Sequence, residues 1–184
     1  MLILITGGVK SGKSRYALEA VRQPADSNLD PKCFIATAEA FDEDMKLRIA
    51  RHQHERGPEW TTLEAPVHLG EILSQKNLSY QCIVIDCLTL WVNNLLHYQS
   101  SQGLDIESEI EKFETALKAL EIPVVIVTNE VGLGVVSESP LSRRYVDLLG
   151  TLNQRIARLA DRVIFMVAGT PLEIKEGRYE KLEK

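Results

Sequence analysis

The chain has 184 residues, 45% hydrophobic and 26% charged, with a formal net charge of -5 at pH 7. This fits one globular domain over 1–184 with a sizeable core, and the interspersed basic residues exclude a protein whose affinity rests on a basic nucleic-acid-binding face. No apolar stretch approaches the ~20 residues needed to span a bilayer, and no basic segment precedes the first apolar run, so neither a membrane span nor a secretory leader is expected and the expected location is cytoplasmic.

The first element is the continuous apolar run Leu2–Thr6, which reads as a strand buried on both faces. It leads directly into Gly7-Gly8-Val9-Lys10-Ser11-Gly12-Lys13-Ser14, a match to the phosphate-binding pattern G-x-x-x-x-G-K-[ST], which opens a helix predicted over about 13–22. Each part has a physical task. Gly7, Gly8 and Gly12 are expected to take positive φ, so that successive N–H groups turn toward an anion. The helix start adds orphan donors and the positive end of its dipole. Lys13 would reach the β- and γ-phosphates, and the Ser14 hydroxyl would serve Mg²⁺. The alternative is a purely structural turn.

After a loop at Pro24–Pro31, a second strand is predicted over Phe34–Thr37, and its exit Ala36-Thr37-Ala38 is small enough to let a ligand approach the backbone. A helix over about 42–56 follows. Met45, Ile49 and His52 share one of its faces, so His52 lies on the apolar side while His54 points elsewhere. A buried, satisfied histidine and a nucleophile or general base are both open for His52. A helix over about 67–76 leads to the strand Ile83–Asp86. Asp86 fits the acid that serves Mg²⁺ at the end of a second strand in phosphate-loop proteins, or the N-cap of a helix over 88–98.

Beyond a flexible connection at Tyr98–Asp105 come a helix over 106–120 and the strand Val124–Thr128. The exit Thr128-Asn129-Glu130-Val131-Gly132-Leu133-Gly134 suits either a catalytic loop or a plain turn. A helix over 140–160 and the strand Val163–Val167 complete the pattern. Alternating strands and helices imply an α/β three-layer sandwich with a mainly parallel sheet, of the P-loop NTPase type, whose ligands bind at the carboxyl ends of the strands. Cys33, Cys82 and Cys87 form no C-x-x-C pair and read as small buried hydrophobes of a reducing compartment.

Taken together these residues resemble the bifunctional adenosylcobinamide kinase / adenosylcobinamide-phosphate guanylyltransferase family of cobalamin biosynthesis. The resemblance runs nearly end to end. It includes Ile35-Ala36-Thr37-Ala38, Met45-x-x-Arg48-Ile49-x-x-His52, Trp60-x-Thr62-x-Glu64, Asp86-Cys87-Leu88-Thr89-x-Trp91-x-x-Asn94-Leu95, Val127-Thr128-Asn129-Glu130-Val131-Gly132-x-Gly134 and Asn153-Gln154-Arg155. It implies phosphorylation of adenosylcobinamide with ATP or GTP, then GMP transfer from GTP to the phosphorylated product through a guanylylated histidine, placed at His52. It further implies nucleotide contacts at Gly7–Ser14 (with Val9, Lys10 and Ser11), Ala36, Thr37, Ala38, the stretch Gln53, His54, Glu55 and Arg56, Glu64 and Asp86. Mg²⁺ would fall on Ser14 and Asp86, and the assembly implied is a homotrimer. The rival readings are a single-activity small-molecule kinase and a GTP-binding switch; the latter should carry D-x-x-G and N-K-x-D, and neither is present.

Overall fold

The computed structural model describes residues 1–21, 31–39, 57–75 and 79–177. Seven strands form one sheet: β1 (Leu2–Gly7), β2 (Lys32–Ala36), β3 (Trp60–Glu64), β4 (Ile83–Asp86), β5 (Val124–Val127), β6 (Arg162–Val167) and β7 (Thr170–Glu176). Their order is β3-β2-β4-β5-β1-β6-β7. All neighbours are parallel except β6 and β7. The strand that feeds the glycine-rich turn, β1, is therefore central, and β5 lies between it and the strand ending in Asp86.

The two faces are covered by different helices, which makes three layers. Ile3, Ile5, Val84, Val125 and Val127 point toward α1 (Lys13–Ala20). Leu4, Ile83, Ile85 and Ile126 point toward α3 (Leu88–Gln102), α4 (Ile106–Ala119) and α5 (Pro140–Leu159), with the short α2 (Leu69–Leu73) beside α4. Burial on both sides explains why these strands are continuous apolar runs rather than alternating ones. Trp91 and Phe113, fully buried, tie α3 to α4 at 5.0 Å between ring centroids, and the indole N–H donates to the Val67 carbonyl at 2.6 Å. At the end of α5, buried Lys175 donates to the carbonyls of Ala157 (2.8 Å) and Ala160 (2.6 Å), satisfying groups that a helix C-terminus otherwise leaves open.

Several expectations change. The chain from 98 to 105 is mostly helix: α3 runs to Gln102, ends at Gly103 with φ 72°, and α4 begins at Ile106 behind its Asp105 cap. The added turn is half-buried to exposed, and Gly103 with its positive φ, not the polar Gln-Ser-Ser-Gln run, ends the helix. The helix expected over 67–76 is only Leu69–Leu73, and the second strand is Lys32–Ala36. Two strands went unseen. β3 is half-exposed and short, and β7 is an exposed antiparallel edge that buries only Lys175. Cys33 and Cys82 are buried free thiols, while Cys87 is only partly buried. Burial, then the neighbouring Cys82, pushes the Cys33 thiol up to about 12. The helix expected over 42–56 and most of the loop at 24–31 lie outside the described residues.

Candidate active site

The glycine-rich turn sits at the carboxyl end of β1, where the parallel sheet presents its strand ends. Gly7 has φ 144°, and a Cβ there would stand 2.4 Å from the Met166 carbonyl oxygen of β6. Gly12, the N-cap of α1, has φ 95°. The third positive φ belongs to Lys10 (56°) and not to Gly8, which lies in open space. Two glycines are thus required by the backbone and Gly8 is not. The turn is fastened from outside by the Gly169 N–H, which donates to the Ser11 carbonyl at 3.0 Å.

Gly12 makes no side-chain cap bond, and the first backbone bond of α1 runs from the Tyr16 N–H to the Gly12 carbonyl. The N–H groups of Lys13, Ser14 and Arg15 precede it, and no acid stands in that first turn. Donors and dipole therefore favour an anion here. Lys13 is 7% exposed, and its ammonium group donates to the Gly8 carbonyl at 2.6 Å, within its own turn. Burial pulls its pKa below the ordinary lysine range, while Cys87 and Asp86 nearby pull the other way.

The strand register assembles the opposite wall. Ala36 pairs with Glu64 on one side and Asp86 on the other, Asp86 pairs with Val127, and Val127 pairs with Ile5. Residues directly opposite in a sheet share a face, so Glu64, Ala36 and Asp86 project on the α1 side, toward Lys13. Glu64 is exposed. Asp86 closes β4 and is not the N-cap of α3: that position is Cys87, which makes no side-chain cap bond. The capping alternative for Asp86 thus fails. Carboxylate and hydroxyl oxygens, the atoms that Asp86 and Ser14 carry, are the hard donors that suit Mg²⁺.

Thr37 has a different position from Ala36. It is fully buried; its hydroxyl donates to the Cys87 carbonyl (2.7 Å) and accepts from the Cys87 N–H (2.8 Å), across a cis Asp86–Cys87 peptide. Asn94 of α3 donates to the Thr37 carbonyl at 2.8 Å and to the Pro66 carbonyl at 3.0 Å, binding the exits of β2 and β3 together. Thr37 is thus tied to the residue that follows β4, and Ala36, at the end of β2, is buried. His52, Gln53, His54, Glu55 and Arg56 lie outside the described residues.

Sequence reasoning assigned no role to Asn94, Thr89, Asn153 or Tyr145, all of which hold the strand exits. One signal was available: Asn94 and Asn153 are amides on otherwise apolar helix stripes, beside Leu95 and Leu96 in α3 and beside Leu149, Leu152 and Ile156 in α5.

Comparison with known proteins agrees with this geometry. The model of the cobinamide kinase / cobinamide phosphate guanyltransferase family matches residues 3–174. A bifunctional adenosylcobalamin biosynthesis protein of Pseudomonas aeruginosa is 45% identical over 172 residues, covering 94% of this chain and 96% of that one. A bifunctional adenosylcobalamin biosynthesis protein of Escherichia coli is 36% identical over 187 residues, covering 95% and 100%. Among solved structures, the flagellar accessory protein FlaH of Methanocaldococcus jannaschii superposes with a TM-score of 0.50 at 14% identity, covering 98% of this chain and 82% of that one. A KaiC-like protein of Pyrococcus horikoshii gives 0.53 at 19% identity, covering 89% and 69%. These two likenesses concern the fold alone.

Proposed function

The chain belongs to the cobinamide kinase / cobinamide phosphate guanyltransferase family, and we propose that it carries out both transfers with the residues gathered at the carboxyl end of β1, β2 and β4. As a bifunctional transferase of cobalamin biosynthesis, it phosphorylates the hydroxyl of adenosylcobinamide with ATP or GTP. It then converts that phosphate to adenosylcobinamide-GDP with GTP, releasing pyrophosphate. The observation that carries this reading is the convergence of buried Lys13, Asp86 and the first-turn N–H groups of α1 on one edge of the sheet.

Phosphoryl and nucleotidyl transfers are dominated by positioning and charge neutralisation. The turn donors hold the phosphate chain, and Lys13 exchanges the Gly8 carbonyl for phosphate oxygens. Ser14 and Asp86 would hold Mg²⁺, which supplies further neutralisation when bound. Ala36, Ala38 and Glu64, at the same edge, are the candidate contacts for the rest of the nucleotide, together with Gln53, His54, Glu55 and Arg56.

For guanylyl transfer, His52 is the proposed nucleophile, on its resemblance to the family pattern. A neutral imidazole nitrogen attacks the α-phosphorus of GTP. A P–N bond forms, the bond from that phosphorus to the bridging oxygen breaks, and pyrophosphate leaves. An oxygen of the cobinamide phosphate then attacks the same phosphorus and the P–N bond breaks, which returns free His52. Two easier displacements replace one difficult one. The enzyme is proposed to work in the cytoplasm as a homotrimer, as its family resemblance implies; among the described residues no helix is long and apolar enough to cross a membrane.

The test is incubation with α-labelled GTP followed by mass spectrometry. One GMP should be retained on His52, through a linkage labile to acid and stable to alkali. His52→Asn should lose label and guanylyl transfer while keeping part of its ATP-dependent phosphorylation of adenosylcobinamide. Label that persists in a folded His52→Asn protein would move the nucleophile elsewhere.

A further inference from the structure

The loop that leaves β5 lies beside the phosphate turn, yet none of its side chains is used above. Five hydrogen bonds to three separate elements hold it, one of them from the Thr128 N–H to the Ile5 carbonyl at 2.9 Å. The Thr128 hydroxyl donates to Asn153 Oδ1 at 2.8 Å, and Asn153 Nδ2 donates to the Asn129 carbonyl at 3.1 Å. The Asn129 N–H donates to the Thr89 hydroxyl at 2.9 Å, and the Glu130 N–H donates to the Gly7 carbonyl at 3.2 Å. Thr89 is itself seated by the Tyr145 hydroxyl, which donates to its carbonyl at 3.2 Å. Asn153 and Thr128 are buried, at 8% and 0% exposure.

Three facts about this arrangement go together. The Glu130 N–H grips the first residue of the phosphate turn, at the glycine that the Met166 carbonyl already confines. Thr89 stands three residues past Asp86, so the same loop is tied to the exit of β4. Asn153 spends both its acceptor and its donor on consecutive residues of the loop, from a stripe of α5 that otherwise buries Leu149, Leu152 and Ile156. An amide in that place serves geometry rather than burial.

We propose that Asn153 is a positioning residue for phosphoryl transfer: it sets the Thr128–Glu130 exit of β5, and through Glu130 and Thr89 it holds the phosphate turn and the Asp86 strand end in their working relation. This rests on the reading of Gly7–Ser14 as the phosphate site. Asn153 is buried and bonded to Thr128 and Asn129, so it acts on turnover more than on nucleotide binding.

The experiment measures kcat per folded molecule, and KM for ATP, in phosphorylation of adenosylcobinamide by Asn153→Ala and Asn153→Asp proteins, with Lys13→Ala as a control for the site itself. Loss of positioning should lower kcat of Asn153→Ala by on the order of tenfold or more, with KM for ATP changed much less. In Asn153→Asp an ionised carboxylate faces the Asn129 carbonyl and repels it. A protonated carboxyl donates there and still accepts from Thr128. Burial beside a carbonyl raises that carboxyl above the ordinary ~3.9. The ratio of its kcat to that of the unaltered enzyme should therefore climb as pH falls from 8 to 6, a signature that Asn153→Ala cannot give. Should either variant fail to fold, Thr89→Val, which removes the other tether of Asn129 with little change of shape, should show the same fall in kcat. Normal kcat per folded molecule in Asn153→Ala, or in Thr89→Val where that stands in, overturns the inference, as does a pH-independent ratio. If Lys13→Ala also stays active, the phosphate-site reading itself falls; if Lys13→Ala is dead, only the role of Asn153 is lost.

Discussion

Replacing Lys13 by Met separates what this residue costs the fold from what it does for the ligand. The side chain is 7% exposed and its ammonium group is held by one carbonyl of its own turn, at 2.6 Å. Burial lowers its pKa despite the opposing pull of Cys87 and Asp86, so the folded protein tolerates the charge less well than water does. A lysine depressed on folding costs stability while it is charged, and that cost is relieved only as pH rises through its folded pKa toward the unfolded ~10.4. Below the folded pKa the cost is fully present. Lys13→Met keeps the aliphatic stem and removes the charge, at the expense of the bond to Gly8. The ligand-free variant should therefore melt no lower than the unaltered protein, within about 4 °C, the equivalent of roughly 1 kcal/mol for a domain this size. Nucleotide binding should move the opposite way. A charge-assisted hydrogen bond contributes about 1.5–3 kcal/mol, which is a loss of about 10- to 150-fold in GTP affinity. Calorimetric titration and a melting curve on the same preparation measure both. GTP affinity within twofold of normal would remove Lys13 from the phosphate site. A large drop in melting temperature would show that the turn depends on this lysine, contrary to the desolvation argument.

Asp86→Asn should abolish Mg²⁺-dependent turnover and leave the melting temperature within about 4 °C, because Cys87 and not Asp86 caps α3; normal turnover at saturating Mg²⁺ would refute the metal assignment. Acid should act through the buried carboxylate Glu109. Its burial favours the protonated form, but hydrogen bonds from Lys112 (2.7 Å) and His68 (3.0 Å) outweigh this and lower its pKa. A depressed carboxylate contributes stability that is present above its unfolded pKa of ~4.3 and lost as pH falls through the folded value. Melting curves between pH 7 and pH 3 should show this loss only at the acid end, with a shallower acid limb in Glu109→Gln; equal slopes in the two proteins would exclude this carboxylate as a source.

The phosphate turn was legible in the sequence because it is local. Spacing, glycine content and the flanking strand and helix all fall within Leu2–Ala20, and backbone sterics at Gly7 and Gly12 act over the same few residues. The central strands were equally legible, since burial on both faces leaves an unbroken apolar run. The edge strands β3 and β7 were not: they bury little, and what makes them strands is a neighbour's open hydrogen-bonding edge rather than their own pattern. The same holds for the second half of the site. That Asp86 closes a strand could be read from Ile83–Asp86, but the register that sets it in line with Ala36 and Glu64 is a relation between distant segments. Asn94 and Asn153 show the limit most plainly. Each is one amide on an apolar stripe, and its purpose, bridging strand exits that lie 28 and 57 residues away for Asn94 and 24 and 25 residues away for Asn153, exists only once the sheet has formed. Periodicity and local sterics act within a segment and can be read from it; hydrogen bonds between segments depend on which strands become neighbours, and that only the tertiary structure decides.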